Sequence, residues 1–194
     1  MNHWRWEAGQ EKNSRACRPC VLWFTGLSAS GKTTLAGLLQ VELAKSGLRC
    51  FVLDGDGLRS GLCSDLGFSP EDRAENLRRA GEVARLLVEA GLVVIAAFIS
   101  PYLADRARVR SRFDRNQFYE IFLDCPIEIC RQRDPKGLYR KAQEGLIPRF
   151  TGVSDPYEPP PAPDLLIRTG ELTVHESLQA LRRFCLDRCL VDES

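Results

Sequence analysis

The sequence predicts an α/β domain, a parallel β-sheet with helices on both faces, and three observations carry that expectation. Short apolar segments alternate with helical patterns along the chain, the order that builds parallel sheets. One segment, Leu92-Val93-Val94-Ile95-Ala96-Ala97, is apolar almost without interruption, as a strand buried on both faces requires. The stretch GLSASGKT, residues 26–33, fits the spacing G-x-x-x-x-G-K-[ST] between an apolar run and a helical pattern, which places a phosphate-binding turn after the first strand.

The elements follow in order. A strand over 20–25 contains Val21-Leu22-Trp23-Phe24-Thr25, and a helix over 32–46 follows from the recurrence of Leu35, Leu38, Leu39 and Leu43. A strand at 49–54 leads to a short helical piece at 58–63. The helix over 70–90 carries its own start signals: Ser69 at the N-cap, Pro70 at the first helical position, and Glu71 and Asp72 in the first turn. Its apolar stripe is Leu77, Ala80, Ala84, Leu87 and Val88. A strand at 92–98, a helix at 102–113, a strand at 118–123 and helices near 126–132 and 136–145 come next. Residues 148–163 form a Pro/Gly-rich loop, in which PYEPPPAP excludes helix and predicts a stiff surface segment. A strand at 164–168 and a helix at 172–190 complete the order.

A chain of 194 residues suits one well-buried domain, here 20–194, preceded by a polar arm over 1–19 in which Trp4 and Trp6 are available for docking. The formal net charge of +1 argues against a nucleic-acid partner, and the longest apolar run, Leu92 to Ile99, is too short to span a bilayer. The start MNHWRWEAGQEKNSR has no apolar core of a signal peptide, so a cytoplasmic location is expected. In that compartment the eight cysteines stay reduced. Cys17-x-x-Cys20 with Cys185-x-x-x-Cys189 has the ligand count of a zinc site. Cys20 opens a strand, however, and the second pair has plain helical spacing, so core or surface thiols are the preferred reading.

In open parallel sheets ligands sit beyond the carboxyl ends of the strands, which directs attention to the loops after residues 25, 54, 98 and 123. In the first, Gly26 and Gly31 let backbone N–H groups approach phosphate oxygens, Lys32 reaches the terminal phosphates, and the Thr33 hydroxyl helps to hold Mg²⁺. The second, Asp54-Gly55-Asp56-Gly57, sets two carboxylates around a glycine beside that cradle, one suited to ordering a metal and the other to accepting a proton. Extending the stripe of the 70–90 helix back one turn reaches Arg73 and Asn76, polar residues on a buried face that suit an anionic, hydrogen-bonding ligand. The third loop, Phe98-Ile99-Ser100-Pro101-Tyr102, precedes an arginine-rich helix on which Arg106 and Arg110 share a side, so one of them is expected to point at the pocket. Beyond the fourth, the basic run from Arg131 to Lys136 is placed to act as a lid over the phosphates.

Taken together, GLSASGKTTLA, LDGDGLRSGL, GFSPEDRAENLRRA, FISPY, DPKGLYRKA and FTGVSDPYEPP resemble the adenylyl-sulfate kinases, in the family's own order and over roughly residues 21–185. The resemblance implies a three-layer P-loop NTPase fold with a lid segment, the cofactor Mg²⁺, and the substrates ATP and adenylyl sulfate. The implied reaction phosphorylates the 3′-hydroxyl of adenosine 5′-phosphosulfate and yields 3′-phosphoadenylyl sulfate and ADP. Carried over by residue, Gly26, Leu27, Ser28, Ala29, Ser30, Gly31, Lys32, Thr33 and Thr34 would hold ATP, with Arg131 or Arg133 over its adenine or phosphates. Thr33 and Asp54 would hold the metal, and Asp54 and Asp56 would share the metal and base roles. Arg59, Arg73 and Asn76 would hold the acceptor's phosphosulfate and ribose. Phe68 and Phe150 would sandwich its adenine, with Ile99 and Lys136 completing the pocket. Ser100 matches a serine described in the family as a phosphoenzyme site, although direct in-line transfer needs no covalent stop. Family members are often dimers, so a homodimer is a further expectation.

The sequence departs from the family's usual pattern at Gly57, where asparagine is common, at Ser60, where histidine is common, and at Ala29-Ser30, where Gly-Ala is more frequent. These departures keep two alternatives open: a P-loop kinase of related build with another acceptor, and a nucleotide-binding module without turnover.

Overall fold

A computed structural model describes residues 18–189, with side chains through 188. Most of the expected N-terminal arm, including Trp4, Trp6 and Cys17, and the side chain of Cys189 therefore lie outside the described residues, so the four-thiolate grouping is not represented as a whole. Among the described residues no cysteine is in a disulfide, and no three His, Cys, Asp or Glu side chains are gathered as a metal site. No described helix is long and apolar enough to cross a membrane.

Five strands, β1 (Val21–Thr25), β2 (Cys50–Asp54), β3 (Val93–Ala97), β4 (Phe118–Asp124) and β5 (Leu165–Arg168), form one sheet in the order β2-β3-β1-β4-β5. Every pairing is parallel, with Val21 opposite Val94 on one side and Phe118 on the other. All carboxyl ends therefore open on one edge, and β1 lies between the strands on either side of the topological switch, where ligand crevices form. The central strands β1 and β3 are buried at every position, which explains their unbroken apolar sequences, whereas β4 alternates between deeper and shallower positions.

Among the described residues seven helices surround the sheet: α1 (Lys32–Lys45), α2 (Gly55–Arg59), α3 (Pro70–Glu89), α4 (Leu103–Arg110), α5 (Ile127–Arg133), α6 (Leu138–Gln143) and α7 (Val174–Cys189). On one face Leu22, Phe24, Ile95 and Ile121 meet Leu35, Leu39 and Leu43 of α1 and Leu181 and Cys185 of α7. On the other, Trp23, Val94 and Ala96 meet Leu77, Ala80, Ala84 and Val88 of α3 and Val109 of α4. Trp23 stacks on Phe98 at 5.0 Å and on Phe118 at 5.9 Å between ring centroids. A smaller apolar cluster, Cys125, Cys130, Tyr139 and Phe150, lies beneath the α5–α6 segment.

Two expectations change. The short helix after β2 spans Gly55–Arg59 rather than 58–63, because the Asp54 side chain accepts the Asp56 backbone N–H and caps a helix directly at the strand's end. Its two glycines hide that start from propensity. The PYEPPPAP segment is not confined to the surface: Pro160 is buried, and the Tyr157 hydroxyl lies 2.9 Å from Thr25 Oγ1. Burial pushes the Tyr157 phenol up to about 12.

Candidate active site

The turn after β1 depends on backbone conformations that most side chains resist. Gly26 has φ 148°, and a Cβ there would lie 2.6 Å from the Leu123 carbonyl oxygen, so only glycine lets the chain pass under β4. Ala29, where the family more often has glycine, also takes a positive φ, 61°. From outside the loop, Thr169 Oγ1 donates to the Ser30 carbonyl at 2.9 Å, and the Tyr139 hydroxyl donates to the Ser28 carbonyl at 3.0 Å.

Lys32 lies inside this turn, 8% exposed, its Nζ donating to the carbonyls of Gly26 at 2.9 Å and Leu27 at 2.6 Å. Burial lowers its pKa to about 8. At the next residue, Thr33 Oγ1 donates to Asp54 Oδ2 at 2.8 Å, while Asp54 Oδ1 accepts the Asp56 N–H at 2.9 Å. Asp56 is paired with Lys136 of the α5–α6 segment, and that carboxylate raises the Lys136 pKa. A hydroxyl, two carboxylates and two ammonium groups thus converge between the ends of β1 and β2.

Across from the phosphate cradle lies an aromatic, arginine-rich wall. Phe68 is 59% exposed, with the Arg59 guanidinium 4.4 Å from its ring centroid. Arg73 is buried, and all three of its nitrogens are engaged within the protein. Nε donates to the Phe68 carbonyl at 3.0 Å, one terminal nitrogen to Thr151 Oγ1 at 3.2 Å, and the other to the Arg149 carbonyl at 2.9 Å. Asp155 stands 4.0 Å away, and burial lowers the Arg73 pKa. Asn76, 4% exposed, has no hydrogen-bond partner on its Oδ1, and an orphaned buried acceptor on a cavity wall is suited to a ligand donor.

These groups share one cavity of about 770 Å³. Its walls include Ser28, Ala29, Ser30, Gly31, Lys32, Thr33, Thr34, Asp54 and Asp56 on one side, and Arg59, Phe68, Arg73, Asn76, Ile99 and Ser100 on the other, with Arg133 and Lys136 above. Four expected residues do not line it. Gly26 shapes the turn from behind. Leu27 offers its carbonyl to Lys32 while its side chain packs in the cluster under the lid. Arg131 and Arg133 are both exposed, but only Arg133 lines the cavity, where it donates to the Thr169 carbonyl at 2.6 Å. Phe150 packs edge-to-face on Tyr139 at 4.9 Å, so it does not form a sandwich with Phe68. The expectation for Arg106 and Arg110 also changes, because neither lines the cavity: Arg106 is buried behind its wall and Arg110 pairs with Asp164.

Ser100 faces the cavity edge with φ 41° and is 2% exposed. Its Oγ accepts the Trp23 indole N–H at 3.2 Å, a contact that anchors the hydroxyl to the sheet. Sequence reasoning missed the region after β5, where Thr169, Leu172, Thr173, Val174 and Ser177 complete the wall beside the cradle. The carboxyl-end rule covers β5 as well and would have found it.

Comparison with known proteins agrees with this geometry. A family model described as Adenylylsulphate kinase matches residues 18–168. An adenylyl-sulfate kinase of Geotalea uraniireducens is 58% identical over 167 residues, covering 86% of this chain and 80% of that one. One of Marinobacter nauticus is 50% identical over 187 residues, covering 96% and 92%. A solved structure of the Mycobacterium tuberculosis APS kinase in complex with AMPPNP and APS superposes with a TM-score of 0.81 at 45% identity, covering 86% of this chain and 97% of that one. With the matched region running from the start of β1 through β5, which takes in all of the cavity lining except the stretch after β5, the chain belongs to the adenylylsulphate kinase family.

Proposed function

We propose that the chain transfers the γ-phosphoryl group of ATP to the 3′-hydroxyl of adenosine 5′-phosphosulfate, giving 3′-phosphoadenylyl sulfate and ADP. The observation that carries the reading is the shared cavity: a phosphate cradle on one side, a stacking ring with arginines and an orphaned amide oxygen on the other, and two carboxylates between them. The relatives, named as enzymes of this activity, support it.

In this reading the loop N–H groups and Lys32 hold the ATP phosphates, Lys32 exchanging its carbonyl partners for phosphate oxygens. Thr33 and Asp54 present hydroxyl and carboxylate oxygens 2.8 Å apart, hard donors of the kind Mg²⁺ takes together with phosphate oxygens and water. The ion so held supplies charge neutralisation at the transferring phosphoryl group. Asp56, bound to Lys136 through Oδ2, has Oδ1 to accept the proton of the acceptor hydroxyl. As that oxygen bonds to the γ-phosphorus, the bond to the bridging oxygen breaks and ADP leaves. Phe68 stacks the acceptor adenine, and Arg59 and Asn76 bind its charged and hydrogen-bonding groups. Arg133 lies on the ATP side. Ser100 serves through its backbone and anchored hydroxyl rather than as a nucleophile.

The test is ADP release from Mg-ATP with adenosine 5′-phosphosulfate, against AMP, gluconate and shikimate. Stimulation by the phosphosulfate alone, with a 3′-phosphorylated product on chromatography, is expected; stimulation by another acceptor instead would overturn the assignment. The homodimer implied by the family resemblance belongs to the same reading, and sedimentation of the purified chain tests it.

A further inference from the structure

The loop after β3 forms a wall of the cavity through Ile99 and Ser100, and its conformation is not one the chain adopts unaided. Ser100 is one of only two non-glycine residues among the described residues with φ above +20°, and such a backbone persists when its surroundings impose it. From β1, Thr25 Oγ1 donates to the Ile99 carbonyl at 2.8 Å and the Trp23 indole to Ser100 Oγ, and a further set of contacts lies behind the wall. Arg106, 2% exposed on α4, spends each face of its guanidinium on a different element. Nε donates to Glu120 Oε1 of β4 at 2.7 Å, one terminal nitrogen to the Ser100 carbonyl at 2.6 Å, and the other to the Glu158 carbonyl at 2.6 Å. Glu158 closes the circuit, its N–H donating to the Pro101 carbonyl at 2.9 Å and its carboxylate accepting the Leu103 N–H at 2.6 Å.

We propose that Arg106 is a positioning residue for the acceptor: from behind the pocket it holds the Ser100 backbone and the Tyr157–Glu158 strap in one arrangement, so that Ile99 and Ser100 present a fixed wall to the ligand. Arg106 touches no residue of the P-loop, and its three partners diverge to three separate elements. A planar fork satisfies all three at once; a lysine ammonium, a point charge on a flexible stem, does not reproduce that geometry. The buried pair with Glu120 accounts for the charge of Arg106 but not for its two carbonyl contacts, which is the feature that separates a positioning role from simple charge pairing. The inference rests on adenosine 5′-phosphosulfate being the acceptor.

Two variants test it. Arg106→Lys keeps a cation beside Glu120, and the double variant Arg106→Gln/Glu120→Gln removes the buried pair as a whole. In both, the KM for adenosine 5′-phosphosulfate should rise about tenfold or more, the consequence of losing one charge-assisted hydrogen bond to the wall. The KM for ATP should stay within about twofold, because the hydrogen bonds of Arg106 go to Glu120, Ser100 and Glu158 and none goes to the cradle. Amide hydrogen exchange in residues 98–103 should quicken in both variants while β1 and α1 hold their protection. An unchanged acceptor KM, equal changes in both KM values, or recovery of the acceptor KM in the double variant would each overturn the role. The exchange measurement needs no acceptor, so a wild-type enzyme inert toward the phosphosulfate would count against the acceptor assignment, whereas unchanged exchange at 98–103 would count against Arg106.

Discussion

Lys136 pairs with Asp56 across eighty residues of sequence, so the carboxylate we propose as the base is held by a cation from the lid segment. The contact joins two walls of the cavity: α2 carries the carboxylate beside Thr33 and Asp54, and the segment between α5 and α6 carries the ammonium above the cavity.

Replacing Asp56 by asparagine keeps the size of the side chain and removes its basicity. Turnover should fall by about 10²–10⁴-fold, the usual contribution of a positioned base, while Mg-ATP affinity stays within a few-fold. Steady-state kinetics with calorimetric ATP binding decides it. A variant that kept most of its turnover would show that Asp56 is neither base nor essential metal organiser.

The buried Lys32 ammonium makes nucleotide binding pH-dependent. With a pKa of about 8 in the free protein, Lys32 loses its charge as pH rises through that value, and ATP affinity should weaken with a limiting slope of about tenfold per pH unit above it. Lys32→Met should bind weakly and show no such slope. For stability the sign is opposite. The folded pKa lies below the ordinary 10.5, so the unfolded chain binds more protons between about 8 and 10.5, and this group's contribution to stability rises with pH across that window. ATP titrations from pH 7 to 10 on both proteins check the first point, and denaturant midpoints over the same range check the second.

Ala29 occupies a left-handed conformation, φ 61°, that costs an alanine roughly 1–2 kcal/mol and a glycine almost nothing in the folded state. Ala29→Gly also gains unfolded-chain entropy, which opposes folding by roughly 0.5–1 kcal/mol. The net expectation is a stabilisation of up to about 1 kcal/mol with ATP affinity unchanged or improved. A lower melting temperature in the variant would mean that the loop relaxes around alanine without strain.

Arg73 binds three partners from the first turn of α3, two of them in the 149–155 loop, and it lines the acceptor side of the cavity. Arg73→Ala should therefore weaken acceptor binding more than ATP binding and also destabilise the fold by about 2–4 kcal/mol, since Asp155 Oδ2 is buried without a hydrogen-bond partner and loses its nearby cation. Comparing both ligand affinities at a temperature well below the variant's melting point separates the two effects. Equal losses for both ligands would assign Arg73 to the fold alone.

The phosphate cradle was legible because its chemistry is local. Gly26, Gly31, Lys32 and Thr33 act through the turn they themselves build, so spacing alone located them. Asp54 and Asp56 were legible for a related reason, lying at a strand end that the parallel architecture directs to the same edge. Arg73 and Asn76 were found by running the α3 stripe back one turn, because helical periodicity places residues on a face without reference to any partner.

Other assignments depended on distances that no local pattern encodes. Arg131 and Arg133 differ by two positions on a helix, about 200° of rotation, so although both are exposed only one of them borders the cavity. The family resemblance implies a stacking role for Phe150, yet the fold sets Tyr139 against it, and the apolar cluster under the lid takes the ring. Arg106 reads as one of many arginines on an exposed helix until β4 supplies Glu120 and the proline-rich strap supplies the Glu158 carbonyl.

By itself, then, the amino-acid order determined the alternation of strands and helices, the cradle, and the family to which the chain belongs. Each of these is written in short spacings and side-chain periods that survive without long-range contacts. Only the tertiary structure decided which arginine faces the ligand, which phenylalanine is core, and what holds Ser100 in a left-handed conformation. Those outcomes come from groups up to 77 residues apart brought within hydrogen-bond or stacking range, and their geometry exists only once the sheet and its helices have closed around them.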